Sequence, residues 1–362
     1  MKRTNYYSYL RAIACMAIVL LHTADASVLL YGDAISNVQK TISMSMVYCM
    51  MWAVPCFVMV TGALLLDPGK EITYKKLYGK YILRIVLALA VFGVIFRCFD
   101  IFMNHEAWTI SGVLQGLWNV MIGKSWAHLW YLYLLIGIYL LLPFYRKIAA
   151  TSSTKEIWYL LGIYALFLSI LPLSGMVNVD LAFYIHTATI YPFYLFLGWA
   201  ISNGKLNISK VGGAILFVVG TLLLITVVRY RYINGVEELA NLLNYSSVFV
   251  ILQCMGLFAM LKRDRNQDDP VTFVEKILCS VDKCSFGIYL VHMIFIRLLL
   301  RYWGFNPYEF GIWMIPIISF SVFIITWVVV SVFKKLTFVS RVLGKVILAD
   351  RKSMRLDDTW EV

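Results

Sequence analysis

The sequence predicts an all-α polytopic integral membrane protein with about ten spans, on the strength of its composition, its apolar runs and the placement of its basic residues. Of the 362 residues, 61% are hydrophobic and 14% charged, and mean hydropathy is +0.78. Soluble domains average about 45–50% apolar and about 25% charged. A water-soluble chain of this length has no interior large enough to hide such a surface. Cytosolic enzymes, disordered scaffolds and secreted modules are therefore excluded, and lipid is left as the solvent for the apolar faces. The apolar stretches run to about 20 residues without period-2 alternation, which selects helices over an outer-membrane barrel.

Apolar runs between short polar links place spans near 9–30, 45–66, 80–103, 129–148, 156–173, 184–202, 211–231, 244–262, 285–303 and 311–333. The first, with Lys2 and Arg3 ahead of Ala12–Leu21 and then Ala24-Asp25-Ala26, imitates a cleavable signal peptide. More apolar residues and the later spans follow it, so an uncleaved helix fits better. The second carries PCFVMVTGALLL, the fourth opens on Trp126-Ala-His128-Leu-Trp130-Tyr131, and the ninth opens on SFGIYLVH. Segment 111–123, ISGVLQGLWNVMI, is too short and glycine-punctuated to span and reads as an interfacial or re-entrant piece. The transmembrane domain thus covers 1–333, and 334–362 forms a basic cytoplasmic tail.

Orientation follows from the basic residues. Most of the 32 Lys and Arg fall in alternate links, among them Lys2, Arg3, Lys70, Lys75, Lys76, Arg146, Lys147, Lys262, Arg263 and Arg265. The opposite links hold few, such as Lys40 and Lys124. This asymmetry predicts N-in and C-in with an even number of spans. Because the charge of +12 sits in topological loops, nucleic acid is not an expected partner. Seven cysteines scattered without a CxxC pair argue against a disulfide framework and against a metal site.

Ionisable groups inside apolar spans are costly, so each marks a candidate site. In the first helix Arg11 and His22 are eleven residues apart, about 1,100° of helical turn, and so share a face roughly 16 Å apart. Asp25 lies three residues past His22, where a carboxylate could orient an imidazole acting as general base. Thr61-Gly62 permits close helix approach or leaves room for a ligand. Lys80 and Arg84 share a face where the third helix begins, and a cationic cluster there suits phosphates. His128, Trp130 and Tyr131 form either an interfacial aromatic belt or a sugar platform. Ser285, Tyr289 and His292 follow an i, i+4, i+7 stripe that turns three polar groups to the bundle interior.

R-x10-H in the first helix, FVMVTGALLL in the second, HLWYLYLLIGIYLLLPFY in the fourth and SFGIYLVH in the ninth together resemble the pattern of acyltransferase family 3. These are integral-membrane O-acyltransferases of surface polysaccharides and lipid-linked sugars. Four segments match in order across nearly the whole chain. The compact length, with no appended domain, looks closest to the enterobacterial common antigen O-acetylase type. The chain departs from the family at Ser8, where an acidic residue is common, at Thr61 in place of serine, and in a looser Lys80…Arg84 motif.

The resemblance implies a bacterial plasma (inner) membrane enzyme. It would move an acyl group, acetyl first among candidates, from cytoplasmic acetyl-CoA (acyl-CoA) to a saccharide or glycolipid hydroxyl. His22 would be the general base, paired with Asp25. Arg11, Thr61, Lys80, Arg84, Ser285 and Tyr289 would hold the donor, and His128, Trp130, Tyr131 and His292 the acceptor, with no metal. The competing expectation is a saccharide exporter or lipid-linked sugar flippase, with Pro55, Pro143, Pro192 and Pro316 as kinks in gating helices. No paired interrupted helices in matching halves support it.

Overall fold

The structure, a computed structural model, describes residues 6–177, 189–262 and 272–335. Among these the protein is helical, with no strand. In chain order the helices are α1 (Tyr6–Tyr31), α2 (Asn37–Leu65), α3 (Tyr74–Met103), α4 (Ile110–Met121), α5 (Ala127–Thr151), α6 (Thr154–Ser174), α7 (Tyr191–Ser202), α8 (Lys210–Asn234), α9 (Val248–Leu261), α10 (Phe273–Tyr302) and α11 (Met314–Lys335). Eight of them, all but α4, α7 and α9, are long and apolar enough to cross a membrane. Residues 336–362 of the expected tail lie outside the described residues.

The two other expected spans hold helices of 12 and 14 residues, α7 and α9; residues 184–188 lie outside the described residues. Every residue from Pro192 to Ile201 in α7 is buried. Hydropathy alone does not separate a helix wrapped in other helices from one bathed in lipid, and a short apolar run suits the former. By contrast α8 leaves Val211, Ile215, Val218, Leu222 and Ile225 exposed, a helical stripe that only lipid would solvate.

Proline and glycine set the close contacts. α2 breaks between Cys49 and Ala53, because Pro55 has no N–H to continue the ladder and its ring displaces the carbonyl four residues back. Its second half then meets α7 at backbone distance. A Cβ on Gly62 would overlap the Leu195 carbonyl, and one on Gly198 would overlap that of Met59. Gly62 thus serves helix packing. On α1 the small residues Ala12 and Cys15 let α10 and α11 approach, with Ile288 and Val322 in the shared core.

Segment 111–123 becomes α4, which folds back antiparallel along the far half of α3. Gly93 and Gly116 face each other there with no side chain between them. The turn is pinned by Arg97, whose Nε donates to the Gly112 carbonyl at 3.1 Å and whose guanidinium forks onto Glu106 at 2.6 and 3.2 Å. Those donors and the Asn104 amide hold the Glu106 carboxyl below its ordinary range. A helical hairpin is therefore what the short glycine-punctuated sequence builds.

Two outcomes follow. Gly198→Leu must push α7 off α2, a misfit of at least about 1–3 kcal/mol. Its thermal unfolding in detergent should start well below that of the wild type, and an unchanged melting temperature contradicts the packing account. Because the Glu106 carboxyl titrates low in the folded chain, its contribution persists above the ordinary glutamate range and disappears as pH falls through the depressed value. Amide exchange across Ile110–Met121 should accelerate in that acidic window, and Glu106→Gln should remove the pH step.

Candidate active site

α1 and α10 run parallel, and polar contacts join them at successive levels. Near the N-terminal end of α1, Arg11 Nε donates to Asp282 Oδ1 at 2.6 Å and Nη2 to Oδ2 at 2.9 Å. The Asp282 side chain is 5% exposed and that of Arg11 24%, so the arginine keeps one edge open beyond its carboxylate. One turn further on, the Cys15 thiol lies 3.8 Å from the Ser285 carbonyl. Three turns from the ion pair, His22 and His292 bring their rings to 5.2 Å between centroids.

His128 completes this upper level. Its ring lies 5.5 Å from that of His292 and 6.3 Å from that of His22. It is delivered by the turn that opens α5, where the Tyr289 hydroxyl donates to the His128 carbonyl. His128 and His292 are buried, whereas His22 is half-buried. Among the described residues His292 Nε2 has no hydrogen-bond partner and neither ring nitrogen of His128 makes a well-formed hydrogen bond, while His292 Nδ1 meets the Ile288 carbonyl at 3.1 Å. Buried polar atoms without partners are uncommon in folded proteins. Such a cluster is built to take a polar ligand or to pass protons. Among the described residues no group is placed to hold a metal ion.

Aromatic residues wall the cluster. Trp126 stacks on Phe96 at 4.2 Å, carries the Arg297 guanidinium on its ring at 3.8 Å, and donates Nε1–H to Asp100 at 2.9 Å. Asp100 also pairs with Arg297 at 3.2 Å. Trp130 packs with Tyr191 and Tyr245 at 5.8 and 5.4 Å. It is therefore part of a half-buried aromatic wall. Tyr131 bridges Phe57 and Tyr289 at 6.2 and 5.7 Å.

The structure gathers some sequence candidates and leaves others apart. Arg84 joins the lower level, its guanidinium 4.7 Å from the Phe286 ring, one turn of α10 beyond Asp282. Lys80 is exposed to the surroundings. The Thr61 hydroxyl is spent on the Phe57 carbonyl at 2.9 Å, and that of Ser285 on the Asp282 carbonyl at 2.8 Å. Asp25, one turn further along α1, is exposed, and no hydrogen bond joins it to His22. At the same end as Arg84, a cavity of about 300 Å³ opens beside Tyr74, Arg146 and Lys147.

Sequence reasoning passed over Asp282, although it extends the Ser285–Tyr289–His292 stripe by one more turn. It also passed over the Asp100–Arg297 pair, whose signal was an acid and a base inside apolar runs.

A bundle of apolar helices that gathers an arginine–carboxylate pair on α1 and α10, and a histidine cluster from α1, α5 and α10, defines a multi-pass membrane protein. The acyltransferase domain of family 3 matches residues 4–331; the chain belongs to that family and is a membrane acyltransferase. No curated protein and no solved structure matches it.

Asp282→Asn leaves the Arg11 guanidinium partly buried without its counter-charge, which costs about 3 kcal/mol, the low end for a broken buried pair, because Arg11 still reaches the open side. The variant should melt earlier in detergent, and Arg11→Met combined with Asp282→Leu should recover part of that loss. Equal melting of Asp282→Asn and wild type would show that the pair does not tie α1 to α10.

Proposed function

We propose that the protein transfers an acyl group from acyl-CoA, acetyl-CoA first among donors, to a hydroxyl of a cell-surface or lipid-linked saccharide, from its place in a bacterial plasma membrane. The observation that carries this reading is the pairing of two chemistries on the parallel helices α1 and α10. A cationic level at Arg11 and Arg84 stands three turns from a histidine cluster. That offset is roughly 16 Å, on the scale of an extended pantetheine arm reaching from its phosphates to its thioester. The excess of Lys and Arg in the links on the Arg11 side supports a cytoplasmic position for that end, where the donor is made, with both termini inside.

In this reading Arg11 and Arg84, with Lys80 approaching from the surface, attract the donor's phosphates. Ser285 and Tyr289, between the two levels on α10, and Thr61 on α2 border the donor's arm. His22, the one histidine of the cluster with an open side, takes the proton from the acceptor hydroxyl. The oxygen forms a C–O bond to the acyl carbon, the C–S bond breaks, and the thiolate leaves to be protonated as free CoA. A neutral imidazole is required for this, and histidine supplies one near neutral pH. Trp130 and Tyr131 offer aromatic faces to the sugar ring, and His128 closes the acceptor side. Residues 334–362 form a basic cytoplasmic tail.

The test is purified protein in liposomes with radiolabelled acetyl-CoA and native lipid extract. Wild type should release CoA and label a saccharide fraction. His22→Ala should lose about 10²- to 10⁴-fold of that rate, the usual contribution of a general base, while remaining folded and membrane-inserted. Full activity in His22→Ala sinks the assignment. Saccharide efflux by wild type without CoA release would favour an exporter or flippase.

A further inference from the structure

We infer that His292 is the positioning residue for His22, doing with a neutral ring what a carboxylate does in a catalytic triad; this rests on the acyl-transfer reading above. The argument starts from a tautomer. His292 Nδ1 lies 3.1 Å from the Ile288 carbonyl, and a carbonyl oxygen only accepts, so Nδ1 carries the proton. In the neutral ring Nε2 is then a bare acceptor. It is fully buried, and among the described residues no group donates to it. The nearest of the cluster's rings is that of His22, at 5.2 Å between centroids and 37° between planes.

A separation near this value is what two imidazoles adopt when an N–H of one meets a bare nitrogen of the other, and catalytic hydrogen bonds in unliganded enzymes commonly tighten only when substrate arrives. Closing that contact fixes which nitrogen of His22 holds the proton. The other nitrogen is then unprotonated and faces the open side. This is the service an orienting residue gives a general base. Asp25, exposed and unbonded to His22, does not provide it. The Ile288 contact and the shared helix face fix the His292 ring in turn, so the orienter is itself oriented. The proton taken from the acceptor stays on His22 until the thiolate leaves.

The consequence separates His292 from a residue that merely contacts sugar. Removing the Nε2 acceptor should lower kcat about 10- to 100-fold, below the loss of the base itself, and leave the KM for acetyl-CoA unchanged. His292→Gln, whose amide oxygen can accept in place of Nε2, should regain much of the rate that His292→Leu loses. The pH profile should also change between wild type and His292→Leu. The rings against His22 there are His128 and His292, with Tyr289 packed on both of those, Asp25 on its own helix and the Arg297–Asp100 pair beyond Trp126, and the substitution removes one of them.

The experiment joins these kinetics to ¹⁵N-histidine NMR of the full chain in lipid nanodiscs at neutral pH, the five histidines being assigned by single substitution. Support is a His292 resonance pattern of the Nδ1–H tautomer, with kcat lost in His292→Leu and recovered in His292→Gln. An Nε2–H tautomer at His292 overturns the inference whatever the turnover. So does a His292→Leu protein, folded by thermal melting, with wild-type kcat. Absence of CoA release by wild type itself would overturn the acyl-transfer reading, and the inference with it.

Discussion

The bidentate contact between Arg11 and Asp282 is the constraint on which the rest of this site depends. It joins the first helix to the tenth across most of the sequence, in surroundings where neither charge tolerates being left alone. Helical geometry then does the remaining work. Two parallel helices fixed in register at one level are fixed at the next ones, so Cys15 comes to Ser285 and His22 to His292 without a dedicated contact at each step. The third histidine arrives by a different route, through a turn at the head of α5 that Tyr289 of α10 holds by its carbonyl.

A second constraint is spatial. α7 and α9 take up the middle of the bundle, and glycines at 62 and 198 let backbone lie on backbone there. Their burial keeps the aromatic wall of Trp130, Tyr191 and Tyr245 facing protein. On the opposite flank the α3–α4 hairpin covers Trp126 and its Asp100–Arg297 partners. The histidine cluster is thus held between a packed interior and a folded-back helix.

Much of this was legible in the sequence. Membrane class, helices and most spans followed from composition and run length, because lipid solvation demands long apolar segments. That segment 111–123 does not form a long helix of its own was legible because ISGVLQGLWNVMI is short and glycine-punctuated. What could not be read was partner choice. Asp282 sits in a polar stretch, DKCS, that looks like the end of a loop, and only a neighbouring helix reveals that it is buried. Asp25 was assigned to His22 from spacing along one helix, whereas spacing along one helix says nothing of the rings that two other helices bring to that imidazole. The spans at 184–202 and 244–262 were read from hydropathy, which registers apolarity without saying whether protein or lipid satisfies it. Thr61 and Ser285 have the residue types of ligand contacts, and their hydroxyls donate one turn back along their own helices, which leaves the oxygen only as an acceptor.

The geometry of the parallel pair turns the ion pair into a pivot. His292 rides on α10 and His128, on α5, is tied to α10 through the Tyr289 hydroxyl, whereas His22 rides on α1. A mutual tilt of roughly 5° about the Arg11 end, acting over the roughly 16 Å to His22, would displace the base from its companions by about 1.4 Å. Misplacements near 1 Å are costly to catalysis. Helix tilt responds to the thickness of the surrounding hydrocarbon, so the lipid that solvates this protein also sets the angle at which its reactive nitrogens meet.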